Sequence, residues 1–338
     1  EEINRRLALR KVETPRVLGL DEKTMLQQFR AVIGNVEERT LIDILPDRDG
    51  SLEDYLADLP DKHRLEVLCI DMHPGYNRLA RRYLPGVAVV ADKFHVVRRA
   101  NVAMDKVRWA IASQQEGRDR AALKRSKKIF SMRSRDLDGS AAEKVRRWCQ
   151  RFPVLGEAYW AKERYYEMYE QDFTPAQAEA YFLNWMKHLP QSIAQVFKAN
   201  CSIQPIWRPA VFGYFEHQFT SGYIEAVNRV IDDVHRAGRG YSFDVIRGKL
   251  LLSPELQKKT FRPKKPRKPR PSTGPDIVAS RPHSWTLPRM EAVNARLGAD
   301  LDLIQIHLDT GNFWEGEDPV IYTPDGQMLV RISNHLLE

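Results

Sequence analysis

Cysteine is scarce in this sequence of 338 residues. Its three cysteines, Cys69, Cys149 and Cys201, are widely spaced and never form a C-x-x-C pair. A disulfide framework or a zinc ribbon needs a denser or more regular set of cysteines, so the sequence favours neither. We expect three buried, free thiols.

Long apolar segments are also absent. No run of about 18 uncharged apolar residues occurs, and the opening residues EEINRRLALRK are strongly charged. The sequence therefore predicts neither a membrane span nor a signal peptide, and we expect a soluble, intracellular protein. Because the first residue is Glu rather than Met, we expect a piece of a longer chain.

Positive charge is concentrated in one short segment. The chain has 53 Lys and Arg against 45 Asp and Glu, a net charge of +8. Residues 258–270, KKTFRPKKPRKPR, hold eight basic side chains and no acidic one. The charge of this segment therefore equals the net charge of the whole chain. It lies in a Pro-rich stretch, 257–285, which predicts either a linker or a basic arm that contacts DNA phosphates through Lys264, Lys265 and Arg267.

The hydrophobic pattern of the first hundred residues predicts an α/β fold. The runs RVLGLDEKT, FRAVIGNV and RTLIDILP indicate three antiparallel strands. LEVLCIDM, which ends near Asp71, is typical of a central strand buried on both faces, and GVAVVAD indicates another strand. SLEDYLADL and GYNRLARRYL have helical periodicity.

The pattern becomes helical after residue 96. Thr174, Pro175 and Gln177 form a capping-box signature that opens a helix through Trp185. A later amphipathic helix, SGYIEAVNRVIDDVH, should bury one apolar side made of Ile224, Val227, Ile231 and Val234.

Three carboxylates stand where an α/β sheet can bring them together. Asp21 lies in the first strand, Asp71 at the end of the fourth, and Glu225 in the late helix. Mg²⁺ prefers carboxylate oxygens, and two such ions can clamp the oxygens of a phosphoryl transfer. A single aspartate at a strand end is more often a turn or cap residue.

Four blocks of sequence resemble the catalytic domain of bacterial insertion-sequence transposases of the ISL-three type. They are, in the family's order and spacing, VLGLDE, LIDILPDRDGSLEDYL, CIDMHPGYNRLARRYLPGVAVVADKFHVVRRA and FTSGYIEAVNRVIDDVHRAGRGYSFDVIRGKLL. The resemblance covers about residues 13–254. It implies an RNase H-like fold with a mixed five-stranded sheet, flanking helices and an all-helical insertion between the fifth strand and the last catalytic helix.

The resemblance also implies an activity. Asp21, Asp71 and Glu225 would be the catalytic, metal-binding triad, holding two Mg²⁺ or Mn²⁺ ions without any nucleotide cofactor. The partners would be transposon-end and target DNA in the bacterial cytoplasm, near the nucleoid, and a homodimer would cut two ends together.

The expected organisation follows from the blocks. Residues 1–96 and 216–256 would form the catalytic domain, with 97–215 as the helical insertion. The basic linker 257–285 would lead to a small β-rich appendage, 286–338, indicated by LDLIQIHLD and by VIYTPDGQMLVRI with its Pro-Asp-Gly turn.

Three further residues are candidates for supporting the metal site. Asp92 and His95 match a D-x-x-H element of this and related families. In one interpretation Asp92 or His95 supports the metal site or binds DNA. In the other, His95 only caps a helix and bonds a carbonyl group. Asn228, three residues after Glu225 on the same helix face, would orient Glu225 or a phosphate, or be a solvated polar residue.

Four residues outside the basic arm are candidates for DNA contacts. Arg229, Arg236 and Arg239 would pair with phosphates, although such charges usually form a solvated face. Trp185 would stack on a base, although core packing is the more common role of such a residue.

The sequence departs from the family pattern at both ends. The family carries an N-terminal zinc finger and helix-turn-helix, and the residues before Val17 form neither. Two other functions stay open: a catalytically inactive DNA-binding remnant, and a structure-specific nuclease of the same fold.

Overall fold

A computed structural model describes residues 2–10, 12–259, 320–322 and 328–331. The chain divides into two compact units, Glu1–Val96 with Pro205–Pro266 and Val97–Gln204 with Arg267–Glu338. No helix among the described residues is long and apolar enough to cross a membrane.

The first unit is built on a mixed sheet of five strands. The strands are β1 (Val17–Met25), β2 (Gln28–Asn35), β3 (Thr40–Ile44), β4 (Val67–Ile70) and β5 (Ala88–Ala91). Their order in the sheet is β3-β2-β1-β4-β5. β1 pairs antiparallel with β2, and β2 with β3, whereas β1–β4 and β4–β5 are parallel. The prediction of a mixed five-stranded α/β sheet is therefore confirmed.

Burial explains the order of the strands. All four residues of β4 are buried, and β4 lies between β1 and β5. A continuous apolar run suits a strand covered on both faces, and parallel neighbours need covering helices. The predicted central strand is confirmed.

The helices of the first unit flank this sheet. They are α1 (Glu2–Ala8), α2 (Gly50–Ala57), α3 (Pro74–Tyr83), α4 (Lys93–Ser113), α11 (Arg208–His217), α12 (Gly222–Ala237), α13 (Phe243–Leu251) and α14 (Pro254–Gln257). Helix α4 starts in the first unit and runs into the second, and short 3-10 turns lie at Lys62–Arg64 and Pro205–Trp207.

Helix α12 packs closely on β1 and β2 because both strands carry glycine at the contact. A Cβ atom on Gly19 would lie 2.5 Å from Cδ1 of Ile224, and one on Gly34 would lie 3.4 Å from its Cγ1. Ile224, Val227 and Ile231 join one hydrophobic core with strand residues, and the partly buried Val234 packs against it. The predicted apolar side of α12 is confirmed, and the glycines set its distance from the sheet.

The end of the expected helical insertion differs from the unit boundary. The predicted end of the insertion at residue 215 stays a prediction, and the first compact unit resumes at Pro205. The reason is that α11 packs on β5, where a Cβ on Gly213 would lie 3.5 Å from the Val89 carbonyl oxygen. A helical pattern in the sequence does not reveal which layer the helix covers.

The described part of the second unit is helical apart from one pair of short strands. Its remaining helices are α5 (Gly117–Arg125), α6 (Lys127–Ser131), α7 (Gly139–Arg151), α8 (Pro153–Met168), α9 (Pro175–Lys187) and α10 (Gln191–Cys201). A 3-10 turn lies at Ser134–Asp136. Helix α9 opens with the capping box between Thr174 and Gln177 that the sequence predicted.

The C-terminal strands form one antiparallel pair. β6 (Val320–Tyr322) pairs with β7 (Met328–Arg331), on either side of the Pro-Asp-Gly sequence. The LDLIQIHLD segment and the basic arm with Lys264, Lys265 and Arg267 lie outside the described residues. All three cysteines are buried and free, as expected.

Candidate metal centre

Three aspartates lie at one edge of the sheet. β1 and β4 are paired in parallel with Gly19 opposite Cys69, so Asp21 and Asp71 each lie two residues beyond this pair. Asp92 directly follows β5, which is parallel to β4. Because parallel strands end at the same edge, the sheet brings together carboxylates that are distant in the chain.

Asp21, Asp71 and His95 form a group that can hold a metal ion. One ligand atom from each lies within 4.8 Å of the others. Nδ1 of His95, in the first turn of α4, lies 3.8 Å from Oδ2 of Asp71. Two carboxylates and an imidazole form a donor set that suits Mn²⁺ and, through its oxygens, Mg²⁺.

The environment of Asp21 favours a bound cation. Burial, and to a smaller extent the charges of Asp71 and Asp92, raise its pKa from the ordinary 3.8 to about 6, against the lowering effects of the Glu22 amide and of His95. Asp21 is 7% exposed. A divalent cation among these groups would favour the ionised carboxylates, so the residues fit a metal ion.

Asp92 holds two helix starts in place. Its carboxylate accepts hydrogen bonds from the Phe94 amide (3.1 Å) and from the buried hydroxyl of Ser221, and it is 1% exposed. The Val96 amide donates to its carbonyl oxygen at 3.2 Å, so Asp92 caps α4. Burial raises the pKa of Asp92. Asp92, rather than His95, is the capping residue.

Asn228 joins α12 to the metal-site edge of β1. Its side-chain Nδ2 donates to Oδ2 of Asp21 at 2.9 Å, and its own Oδ1 is buried without a hydrogen-bond partner. One turn of helix further on, Asp232 accepts from Nζ of Lys23 on β1 at 2.7 Å. The face of α12 that carries Asn228 therefore runs along β1.

Glu225 lies beside this edge but outside the group of three ligand residues. Its carboxylate, with half of the side chain exposed, pairs with Arg229 at 2.9 Å. Its backbone amide donates to the carbonyl oxygen of Ser221 at 3.1 Å, and its charge raises the pKa of Asp92. The structure thus brings His95, and not Glu225, to Asp21 and Asp71.

The other predicted site residues are more dispersed. Arg236 is exposed and pairs with Asp233 at 2.5 Å, and Arg239 is exposed just beyond α12. Trp185 is 1% exposed, and its Nε1 donates to the Ala161 carbonyl oxygen at 3.0 Å. Because that ring is almost fully covered, Trp185 has the core-packing role and offers no surface for a base.

Ser221 is a site residue that the sequence analysis missed. It stands at the N-cap position of α12, but its hydroxyl donates to Asp92 instead of capping the helix. A serine before an amphipathic helix indicates a cap, and only the proximity of β5 reveals the second role.

The transposase family model (DDE_Tnp_ISL3) matches residues 18–250. The chain belongs to the ISL-three family of DDE transposases. The matched residues of the transposase include the five-stranded sheet except Val17, the three aspartates and α12. No curated protein is significantly similar to the chain. Membership of this family indicates that the transposase is an enzyme that acts on nucleic acid and that DNA is its partner.

Proposed function

We propose that this transposase catalyses metal-dependent phosphodiester hydrolysis and strand transfer at insertion-sequence ends, with Asp21, Asp71 and Glu225 as its catalytic residues. The observation that carries the proposal is the edge of the sheet where Asp21 and Asp71 share a group of ligand atoms within 4.8 Å. The strand order, three antiparallel strands followed by two parallel ones, supports an RNase H-like fold.

Asp21 and Asp71 would hold Mg²⁺ or Mn²⁺, with His95 as a further ligand or as the partner that orients Asp71. A pair of bound ions would polarise the scissile phosphate and activate the attacking oxygen. The protein residues fix the carboxylates in place: Asn228 and the Glu22 amide hold Asp21, and His95 lies beside Asp71.

Glu225 would complete the site when it releases Arg229. It lies one turn before Asn228, which contacts Asp21, and one turn after Ser221, which contacts Asp92. An exposed ion pair contributes little, about 0.3–0.5 kcal/mol at this spacing, so its loss is a small barrier to a change of rotamer. Arg229 would then be free to pair with a DNA phosphate.

DNA would be held by cations around α12 and in the basic arm. Arg229, Arg236 and Arg239 would contact phosphates near the site, and Lys264, Lys265 and Arg267 would do so from the arm. A homodimer would bring two ends together.

A cleavage assay tests the proposal. The protein is mixed with duplex DNA that contains the element's ends, in Mg²⁺ or Mn²⁺, and nicked and strand-transfer products are separated by size. We expect Asp21→Asn, Asp71→Asn and Glu225→Gln to reduce both products by at least about a hundredfold.

The control is Asp54→Asn, an exposed acid on α2. It should leave both products unchanged. Cleavage that survives Asp71→Asn or Glu225→Gln would refute these roles, and nicking without any joined product would favour a nuclease. DNA binding without cleavage by the native protein would favour an inactive remnant.

A further inference from the structure

An exposed tryptophan stands beside basic side chains in the second unit. Trp109, on α4, is 43% exposed. Nζ of Lys124 lies 5.0 Å from the centre of its ring, and the guanidinium carbon of Arg108 lies 5.5 Å away. A large aromatic ring in solvent next to cations marks a surface that can bind a partner, and it differs from Trp185, which is buried in the core.

A buried arginine fixes the position of this tryptophan relative to α5. Arg108 is 1% exposed, and its Nη1 donates to the carbonyl oxygens of Leu123 (2.6 Å) and Lys124 (3.2 Å) at the end of α5. Asp105 pairs with Arg108 at 2.6 Å and with Lys127 at 3.2 Å. Buried hydrogen bonds from Arg108 therefore hold α4 against the end of α5. They also satisfy the α5 carbonyl groups that would otherwise repel an anion.

The two helices after Trp109 carry an excess of positive charge. Residues 117–128, GRDRAALKRSKK, hold six basic side chains and one acidic one. The acidic one, Asp119, pairs with Arg151 at 2.6 Å, and Lys127 pairs with Asp105. The other five basic side chains are exposed and make no ion pair among the described residues: Arg118, Arg120, Lys124, Arg125 and Lys128.

Not all of these cations are placed where they stabilise α5. Arg120 and Lys124 are four residues apart, where like charges destabilise a helix by a few tenths of a kcal/mol. Arg118 and Arg120 also lie in the first turn of α5, where positive charge opposes the helix dipole, whereas Lys124 and Arg125 lie in its last turn, where positive charge is favourable. Because Arg120 opposes both the charge of Lys124 and the helix dipole, an anionic partner on this face of α5 is the best account of the pair.

We propose that this surface binds single-stranded DNA, with the cations on successive phosphates and Trp109 stacked on an unpaired base. We name it the Trp109 patch, and it consists of Trp109, Lys124 and Arg120, which lies one helical turn before Lys124 on the same face of α5. The inference rests on the proposed function in taking DNA as the substrate, and it adds a strand-binding surface on the second unit.

An unpaired strand fits the patch better than a duplex or a protein. Aromatic rings that stack on bases, set in a cationic surface, bind single strands with little sequence preference. In a duplex the bases are stacked on one another, so Trp109 would have no role. An acidic protein would pair with the cations but has no regular series of flat bases to stack on the indole.

Binding is measured by fluorescence anisotropy with a labelled oligo-dT of about 16 nucleotides, and with a duplex of equal length, in EDTA. Without metal no cleavage occurs, so the result does not depend on the catalytic residues. We expect Trp109→Ala to weaken oligo-dT binding about 5- to 100-fold, Trp109→Phe to restore most of it, and duplex binding to change less than about twofold.

The cations are tested by the double substitution Arg120→Gln with Lys124→Gln. Loss of two phosphate contacts should reduce the slope of log affinity against log salt by about 1.4 for a single strand. The matched control removes two exposed cations from other helices, Arg81→Gln on α3 with Lys144→Gln on α7, and should leave the slope unchanged. Circular dichroism checks that each variant is folded.

Several results would overturn the proposal. They are equal weakening by the control pair, oligo-dT binding that does not change with Trp109→Ala, an equal loss of duplex binding, and competition by polyglutamate as effective as that by oligo-dT.

The binding test can be separated from the cleavage test of the proposed function. If the native protein fails to cleave yet the patch variants lose oligo-dT binding, the patch stands and the catalytic proposal fails. If cleavage is normal and the patch variants bind oligo-dT as the native protein does, the catalytic proposal stands and the patch fails.

Discussion

Asn228 donates a hydrogen bond from its side-chain amide to the carboxylate of Asp21 over 2.9 Å, although the two residues are 207 positions apart in the chain. This contact fixes α12 against β1 at the metal-site edge. It therefore sets where Glu225, one helical turn earlier, stands relative to the strand aspartates.

Loss of the Asn228 side chain should weaken both the fold and the site. We expect Asn228→Ala to lower the free energy of unfolding by about 1 kcal/mol and metal-dependent cleavage by at least about tenfold. Urea denaturation and the cleavage assay measure the two effects. Asp233→Ala, on an exposed part of the same helix, serves as the control, and equal effects of the two variants would contradict a positioning role.

The stability of the metal-free protein should depend on pH through Asp21. Its pKa in the folded protein is raised from 3.8 to about 6, so the folded state binds the proton more tightly than the unfolded state. Stability from this group is present below about pH 4 and is lost as the pH rises through about 6, by up to about 3 kcal/mol.

Urea denaturation in EDTA between about pH 4 and 7 measures this dependence. Asp21→Asn should remove that part of the slope. Adding Mg²⁺ or Mn²⁺ at about pH 7 should raise the stability of the native protein and not that of Asp21→Asn. Identical pH profiles of the two proteins would contradict the assignment.

A side chain on Gly19 should force α12 away from the sheet. Its Cβ would lie 2.5 Å from Ile224 Cδ1 and 2.6 Å from Val36 Cγ2, which is closer than atoms can approach. We expect Gly19→Ala to cost about 1–3 kcal/mol in urea denaturation. Gly50→Ala is the control because its Cβ would meet no atom within 4 Å. A shorter partner, Ile224→Val, should recover part of the loss, and a neutral Gly19→Ala would show that the helix does not depend on this close approach.

The buried hydrogen bond from Ser221 to Asp92 should contribute to the free energy of unfolding, although the sequence around Ser221 indicates only a helix cap. Ser221→Ala leaves one oxygen of a buried carboxylate without its donor, so we expect a loss of about 1–3 kcal/mol. Ser253→Ala removes an exposed bond to Glu255 and should change stability by less than about 0.5 kcal/mol. Thermal or urea unfolding measures both variants, and equal stabilities would count against a structural role for the buried pair.

Much of the fold could be predicted because it depends on local pattern. The apolar run of β4, the capping box of α9 and the apolar side of α12 are properties of short segments, and each was confirmed. The positions of Asp21 within the first strand and of Asp71 directly after the fourth could be predicted for the same reason.

The sequence by itself determined the strands, the helices, the family and the acids that face one edge of the sheet. Only the tertiary structure decided that His95 lies beside Asp71, that Glu225 forms an ion pair with Arg229, and that Ser221 donates a hydrogen bond to Asp92. The physical reason is that periodicity fixes which face a side chain occupies, whereas its partner depends on how closely distant segments pack and on which rotamer the local charges favour. No short stretch of residues contains that information.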